Sequence, residues 1–385
     1  MPADLTYIAL LFSLFVVPKL LQRFRIPGAV TAFLLGIVAA RLALFAGDAT
    51  VALLSTLGIV ALFLFAGLEV DLRELRKGAA VLVQHLAVQV VLLAGVTFVL
   101  VRALGLEWRP AVLLSLALLT PSTGFILESL RGYGLDPGEQ YWTRAKAIGA
   151  ELLALAALFA TLQSTSAGRL GVATLALGAI VVVVPLAFRG FTRLVAPFAP
   201  KSEFAFLLML AAACAYATKW LGVYYLVGAF VVGVAAQRFR HSMPDLSSER
   251  MLLAVEAFSS FFVPFYFFHA GKGLPASAFG PKAFLLGGAM LAIFLPLRVA
   301  WVALHRRVAL RCSWASGFRV GVAMVPSLVF ALILASILRE RFAISDALWG
   351  ALVVYAIGST VLPSFFLRVP VPRFEEPKLP GALAP

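Results

Sequence analysis

Apolar stretches of about 20 residues, the length that crosses a bilayer's hydrocarbon core as a helix, recur from one end of the chain to the other. The alternating pattern of transmembrane strands is absent, so the spans are expected to be helices, which satisfy their own backbone hydrogen bonds in lipid. With 62% hydrophobic and 13% charged residues, the chain has too little polar surface for a soluble domain. The sequence therefore predicts an all-α polytopic membrane protein.

The apolar pattern predicts 13 transmembrane helices. The eighth and ninth are kept separate because together they would be too long for one crossing. The predicted spans are residues 5–21, 28–45, 51–68, 79–100, 110–130, 141–162, 170–188, 204–217, 221–237, 251–270, 283–304, 317–338 and 347–367.

The basic residues are distributed unequally between the two sides of this map. Of the 32 Lys and Arg residues, 22 fall in the loops and span ends of one side, nine fall on the other side, and Arg298 alone cannot be assigned to either. Because basic residues concentrate in cytoplasmic loops, we expect a multi-pass protein of the cell (inner) membrane, with its N-terminus outside and its C-terminus in the cytoplasm. This asymmetry also accounts for the net charge of +14, and no nucleic-acid-binding motif accompanies it.

The sequence contains no motif that indicates a disulfide framework, a metal site, a cofactor or an enzyme active site. Cys214 and Cys312 indicate neither a disulfide framework nor a metal site, and no cofactor motif is present. An intramembrane enzyme would need a Ser/His, paired-Asp or HExxH constellation, and none is found. We therefore expect a protein that is not an enzyme and that binds no cofactor.

Two pairs of segments repeat inside the chain. AFLLGIVAARL (32–42) resembles AFVVGVAAQRF (229–239), and FLFAG (63–67) resembles FFHAG (267–271). Each pair is seven spans apart, so the two copies are expected to lie upside down relative to each other. Inverted repeats are typical of transporters whose site lies near the membrane midplane, where interrupted helices of the two repeats meet.

Two predicted spans carry a proline at corresponding positions of the repeats. Span five contains Thr120-Pro121-Ser122-Thr123-Gly124, and span twelve, seven later, contains Val325-Pro326-Ser327. Proline removes a backbone donor and clashes with the preceding turn, so a local break is expected in each helix, although a packed kink is the alternative. Matching positions favour a crossed pair of broken helices, whose free carbonyls and helix ends can coordinate ions.

Two charged residues lie at membrane depth. Glu151 is near the middle of span six; a carboxylate there is costly and usually functional, although a structural, hydrogen-bonded acid is the alternative. Arg298 in span eleven either has a partner or snorkels to the interface. Glu128, near the cytoplasmic end of span five, is a weaker candidate. Ionised, Glu151 could hold a dehydrated monovalent cation together with oxygens of the broken helix, and protonation would release it, which suffices for antiport.

Several segments resemble the monovalent cation/proton antiporter superfamily, in particular its bacterial branch of potassium-efflux antiporters and NapA-type sodium/proton antiporters. The resembling segments are LGIVALFLFAGLEVDLRELRKG (57–78), TPSTG (120–124), the span-six acid Glu151 and FVPFYFFHAGKGL (262–274). The resemblance implies an NhaA-like antiporter fold with two inverted six-helix repeats joined by a linker helix. It also implies Na⁺ or K⁺ and H⁺ as the transported ions, a homodimer, and an elevator-like movement.

The same resemblance implies a division into domains and a set of site residues. Glu151 matches the family's ion-binding aspartate, Thr120, Ser122 and Thr123 match its unwound segment, and Arg298 matches a basic residue of span eleven. The implied parts are a scaffold (1–78 and 202–280), a core (79–163 and 281–368), a linker helix (164–201) and a cytoplasmic tail (369–385).

The chain also departs from the family pattern. Electrogenic members carry two adjacent acids in span six, whereas this chain has Ala150 before Glu151, so electroneutral 1:1 exchange is expected. Arg298 thereby lacks its usual partner, and we expect it to pair with Glu151 or Glu128 during part of the cycle. Glu in place of Asp leaves the choice between Na⁺ and K⁺ open.

Three other functions remain alternatives. A sodium-coupled symporter resembling bile-acid carriers would share the inverted repeats but would need a larger polar cavity. A channel would conduct ions without a proton gradient. A transport-inactive sensor homologue is the third alternative, because the span-six acid pair is incomplete.

Overall fold

The computed structural model describes residues 3–199, 202–221, 225–239 and 249–367, so the predicted tail 369–385 lies outside the described residues. Within these ranges the chain forms helices, turns and loops without a β-strand. The helices are α1 Ala3–Gln22, α2 Gly28–Arg41, α3 Ala49–Leu68, α4 Leu72–Lys77, α5 Ala79–Leu104, α6 Trp108–Leu119, α7 Thr123–Leu130, α8 Pro137–Gln163, α9 Ala167–Leu194, α10 Glu203–Trp220, α11 Tyr225–Phe239, α12 Glu249–Lys272, α13 Pro281–Ala309, α14 Trp314–Ala323, α15 Leu328–Phe342 and α16 Asp346–Phe366.

Each predicted span overlaps one helix or one broken pair of helices, and α4 is a short helix between two predicted spans. By length and apolarity alone, ten helices of the described residues can cross a membrane, or 11 when the bent pair α14 and α15 is added. Two shorter apolar helices, Gly28–Arg41 and Leu226–Gln237, fall below that length. The all-helical membrane fold is therefore confirmed, and the count of 13 spans stays a prediction.

Two helices break at the predicted prolines. Thr120 ends α6 in extended conformation (φ −87°, ψ 129°), as expected before Pro121, whose ring excludes the helical conformation from the preceding residue. Helices α14 and α15 are separated by residues 324–327 and bend by 49°. Pro121, Pro326 and Ser327 lie within the breaks, whereas Gly124 lies in the first turn of α7, so the first break ends before it.

The residues at the start of α8 determine where Glu151 lies along this helix. Asp136 caps the helix in a capping box with Glu139, and Pro137 occupies the first helical position. Glu139 is buried and forms an ion pair of 3.1 Å with Arg319 of α14. These contacts fix α8 so that Glu151 lies about halfway along it.

Glycines allow α2, α3, α11 and α12 to pack with their backbones in contact. Gly36 of α2 and Gly271 of α12 each face a carbonyl oxygen of the other helix where a methyl group would overlap it. Gly67 of α3 and Gly233 of α11 do the same. The internal repeat aligns Gly36 with Gly233 and Gly67 with Gly271, so each glycine contact is the repeat-related counterpart of the other.

The helices pack in two groups. In one group α3 lies against α11 and α12, α2 against α12, and α10 against α11. In the other group α13 lies against α14 and α16, α15 against α6 and α16, and α8 against α5, α6, α7 and α14. Helix α9 contacts members of both, and α3 meets the second group at α7.

Candidate ion-binding site at the helix crossing

Glu151 lies at the end of a half-helix. Its side chain is 3% exposed, and its Oε2 accepts a hydrogen bond of 3.0 Å from the backbone amide of Thr123, the first residue of α7. The unsatisfied amides of a helix N-terminus carry a partial positive charge. A helix end therefore holds the carboxylate, and no described Lys or Arg forms an ion pair with it.

The two breaks cross at Ser122. Its amide donates to the Pro326 carbonyl at 2.8 Å, and its Oγ accepts from the amide of Phe330, in the first turn of α15, at 3.1 Å. The N-terminal ends of α7 and α15 therefore meet at this crossing. The crossed pair of breaks predicted from the two prolines is present in the structure.

Arg298 binds the opposite ends of the broken helices. Its Nη2 donates to the carbonyl of Met324, which ends α14, at 2.8 Å, and its Nη1 donates to Tyr355 Oη at 3.1 Å. Tyr355 in turn donates to the Leu118 carbonyl in the last turn of α6 at 2.5 Å. The guanidinium is 6% exposed and so does not snorkel. It faces two helix C-termini, which carry partial negative charge.

The expected pairing of Arg298 with an acid is not observed in this structure. The guanidinium contacts Met324 and Tyr355 instead of Glu151. Glu128 lies in α7, but its side chain is outside the described part of the chain. The sequence missed Tyr355 because a lone tyrosine on an apolar helix gives no signal until the fold brings it to the crossing.

The hydroxyls predicted as ligands differ in their surroundings. Thr120 Oγ1 and Thr123 Oγ1 are buried and have no hydrogen-bond partner among the described residues. Ser122 Oγ caps α15, and Ser327 Oγ lies 2.8 Å from Ser359 Oγ. Buried oxygens without a partner are unusual and are suited to a hard cation, so the two threonines keep their ligand capacity.

A cavity of about 300 Å³ leads toward Thr123. It lies between α1, α2, α3 and α12 on one side and α7 and α8 on the other, at the helix ends flanked by the basic loops. Gly124, the residue after Thr123, is part of its wall, where a Cβ atom would contact Leu62 of α3. Its polar lining includes Glu69, Gln140, Arg144, Glu256, Ser259 and Ser260.

A second group of buried charges was not predicted. Lys146, one and a half turns before Glu151 on α8, is fully buried, and its Nζ lies 2.9 Å from His305 Nδ1. Arg306, next along α13, is 2% exposed. The charge map counts Lys146 with the residues of one side, and Arg306 lies two residues beyond the predicted end of span eleven at residue 304, whereas the structure buries both side chains within α8 and α13. His85, Lys146, His305 and Arg306 form what we call the basic cluster.

Among the described residues, no acidic side chain forms an ion pair with the basic cluster. The His85 ring stacks on Trp301 at 4.9 Å, its centroid is 5.3 Å from that of His305, and neither of its nitrogens has a described partner. Arg306 Nη2 donates to Ser316 Oγ at 3.0 Å, while Nε and Nη1 have no partner within the described chain. The ion pairs of the described residues are Arg144–Glu74, Arg319–Glu139 and Arg339–Asp346.

Comparison with known proteins gives one family and one fold. The sequence profile described as "Sodium/hydrogen exchanger, transmembrane" matches residues 9–371. No curated protein sequence matches the chain. Among solved structures, the chain is similar to the sodium proton antiporter MjNhaP1 from Methanocaldococcus jannaschii at pH 8, with a TM-score of 0.64 and 14% identity. The similarity covers 96% of this chain and 95% of that one, and at this identity it shows a shared fold.

Proposed function

The chain belongs to the transmembrane sodium/hydrogen exchanger family, and we propose that it exchanges Na⁺ or K⁺ for H⁺ at Glu151. Membership confirms the resemblance to the monovalent cation/proton antiporter superfamily, whose members are transporters. The observation that carries the proposal is the buried Glu151 carboxylate, held by the Thr123 amide where two broken helices cross.

The proposed site uses one carboxylate in two protonation states. Ionised, Glu151 binds a dehydrated cation with the unpartnered hydroxyls of Thr120 and Thr123, and with carbonyl oxygens of the break. Protonated, it is neutral and releases the cation. The Ser122 hydroxyl is not a free ligand, because it caps α15; Ser122 instead joins the two broken helices around the site. Cation and proton therefore compete for one site, and alternate exposure of that site couples their movements.

The charges of the crossing support this assignment. A helix end carries roughly half an elementary charge, so the N-terminus of α7 partly offsets the carboxylate, and the C-terminus of α14, with that of α6 through Tyr355, offsets Arg298. Among the described residues, Glu151 thus has no fixed basic partner and is available for an ion. Pairing of Arg298 with Glu151 or Glu128 remains a proposal for another state of the cycle.

We further propose that the fold consists of two inverted six-helix repeats within 13 spans. The reciprocal contacts Gly36–Gly271 and Gly67–Gly233 support this arrangement, because the repeat exchanges one pair for the other. The crossed breaks of α6–α7 and α14–α15 support it independently, since they lie at matching positions of the two halves. Helix α9, which contacts both groups of helices, fits the linker between the repeats.

The two groups of packed helices support a scaffold (1–78 and 202–280) and a mobile core (79–163 and 281–368). The 300 Å³ cavity between them favours an inward-facing state of an elevator mechanism in the inner membrane, with the N-terminus outside. The homodimer rests on the resemblance of the scaffold to the family. A single acid at the crossing favours electroneutral 1:1 exchange.

The test is exchange in liposomes that contain a pH-sensitive dye. Na⁺, K⁺, Li⁺ or choline chloride is added in turn to the native protein, to Glu151→Gln, and to Glu107→Gln as an exposed-glutamate control. We expect dequenching by an alkali cation, none with choline, loss in Glu151→Gln, and full activity in Glu107→Gln.

Three outcomes would contradict the proposal. A flat response to every cation from pH 6 to pH 9 would favour the symporter or the sensor. Cation flux that continues without a proton gradient would favour a channel. Full exchange by Glu151→Gln would show that the ion binds elsewhere.

A further inference from the structure

A small second cavity borders the helix crossing. Its volume is about 20 Å³, and it is lined by residues of α5, α13, α14 and the two breaks. On this measure a cavity of about 10–15 Å³ already holds one water molecule, so the space suits a single particle of that size or slightly larger. Its wall includes Pro121 and Met324, one from each break.

Each polar side chain that lines this cavity can donate a hydrogen bond. His85 is fully buried, and both ring nitrogens lack a described partner. Gln89, one turn later on α5, adds an amide, and Arg298 adds a guanidinium, which has no acceptor atom. Among the described lining residues there is no carboxylate; the rest of the wall is apolar or aromatic, with Trp301 stacked on His85.

The charges beyond the cavity have the same sign. His85 connects it to the basic cluster, in which Lys146 is bonded to His305 and Arg306 follows on α13. Two nitrogens of the Arg306 guanidinium have no described partner. Removing such a charge from water without an acceptor costs several kcal/mol, and the helix ends that offset Arg298 are already in use.

From this combination we infer that the cavity binds one monatomic anion of the halide class, with chloride as the physiological ion. His85 and Gln89 donate to it, Arg298 forms part of its wall, and Lys146 and Arg306 supply positive potential. A cation is disfavoured by the guanidinium in the wall and by the positive charges of the basic cluster, and a neutral water molecule would leave those charges without a counterion. This binding site is separate from Glu151 and does not depend on the exchange reaction.

The position of the anion gives it an influence on transport. It contacts the walls formed by Pro121 and Met324, and so it adds negative charge beside both helix breaks. Occupancy would hold α5, α13 and the crossing together as one unit. We therefore expect chloride to stabilise the protein and to alter exchange without being transported.

The test measures halide binding in purified protein. Thermal unfolding in detergent is followed while chloride or bromide replaces gluconate at constant Na⁺ concentration and ionic strength. Bromide is then located by anomalous diffraction from crystals of the full chain. We expect a saturable rise in melting temperature with both halides and a bromide peak beside His85.

Variants separate the site from general salt effects. Gln89→Leu and Lys146→Met should each raise the half-saturating halide concentration about tenfold or more, because each removes a donor or a charge acting on the anion. His85→Leu should abolish saturation. The controls are His269→Gln, which alters a half-buried histidine on α12, and Arg307→Gln, an exposed arginine next to the cluster; both should keep the native response.

Two results would overturn the inference. One is a melting temperature that is the same in chloride and gluconate. The other is a bromide map with peaks at surface arginines only. Should His85→Leu fail to fold, Gln89→Leu decides the point, because it leaves every basic residue in place. Halide binding is measured without transport. The anion site can therefore be disproved while exchange at Glu151 is confirmed, and exchange can be disproved while the anion site is confirmed.

Discussion

The helix crossing and the basic cluster place charges in the same core helices but balance them differently. At the crossing, Glu151 accepts from the N-terminus of α7 and Arg298 donates to the C-terminus of α14, so backbone ends act as counterions. In the basic cluster, Lys146 lies inside α8 and bonds His305, while Arg306, in the last turn of α13, bonds Ser316 Oγ. Lys146 and Glu151 are only five residues apart on α8, about 7.5 Å along the axis.

The difference shows what a broken helix provides. An intact helix satisfies its own backbone, and a charge beside its middle needs a side chain or an ion as partner. A broken helix exposes amides and carbonyls at membrane depth, which can hold a carboxylate and a guanidinium without an acid–base pair. The missing acid at position 150 is therefore tolerated at the crossing, whereas the cluster requires an external anion.

The largest expected effect comes from removing a charge at the crossing. Arg298→Met leaves the Met324 carbonyl and Tyr355 without their donor, and it should lower the free energy of unfolding by about 3–5 kcal/mol, as when one partner of a buried pair is lost. Thermal or SDS-induced unfolding in detergent measures it, with Arg102→Met, at an exposed arginine of α5, as the control. An unchanged stability would show that the helix C-termini do not act as counterions.

A hydroxyl at the crossing should have a smaller effect. Ser122→Ala removes the acceptor of the Phe330 amide, and a buried donor without a partner costs about 1–3 kcal/mol. The same unfolding assay measures the loss, and Ser336→Ala, whose hydroxyl bonds only within its own helix α15, is the matched control. If both variants lost the same free energy of unfolding, the hydrogen bond of Ser122 across the crossing would contribute no more than a hydroxyl bonded within its own helix.

Removing a charge from the basic cluster should raise the stability of the protein, and the size of this gain should depend on the anion in solution. In gluconate, Lys146→Met removes a buried charge without a counterion and should stabilise the protein by about 1–2 kcal/mol. In chloride, the bound anion compensates the charge of the cluster in the native protein, so Lys146→Met should no longer increase stability. The measurement is unfolding in both salts, with Lys282→Met, at an exposed lysine of α13, as the control. If Lys146→Met were less stable than the native protein in gluconate, the basic cluster would not differ from the crossing in lacking a counterion.

The sequence predicted the spans and the breaks for physical reasons that are local. Bilayer thickness sets the length of apolar runs, and proline excludes helical conformation before it. Proline alone was not sufficient, because α13 continues through Pro296 and α12 through Pro264. The breaks at Pro121 and Pro326 are each followed by a serine, and Ser122 supplies alternative hydrogen bonds to the other broken helix.

The pairing of the charges could not be predicted, because it depends on contacts between distant segments. Arg298 and Tyr355 are 57 residues apart, and Lys146 and His305 are 159 apart. One signal was available for Lys146: Asp136 and Glu139 form a capping box that starts α8 before the predicted span. That start places Lys146 about two and a half turns inside the helix, where its side chain is buried by the neighbouring helices.

The smallest effect on stability is expected at Glu151 itself. In Glu151→Gln the amide oxygen can still accept from Thr123, and only the attraction between a charge and a helix N-terminus is lost, which is worth less than about 1 kcal/mol. Unfolding of this variant should therefore nearly coincide with that of the native protein in chloride and in gluconate, while its exchange in liposomes is absent. A large loss of stability would mean that the carboxylate is a structural partner of α7. A small change together with lost exchange would mean that the crossing holds a carboxylate for the ion it binds, since the fold does not need its charge.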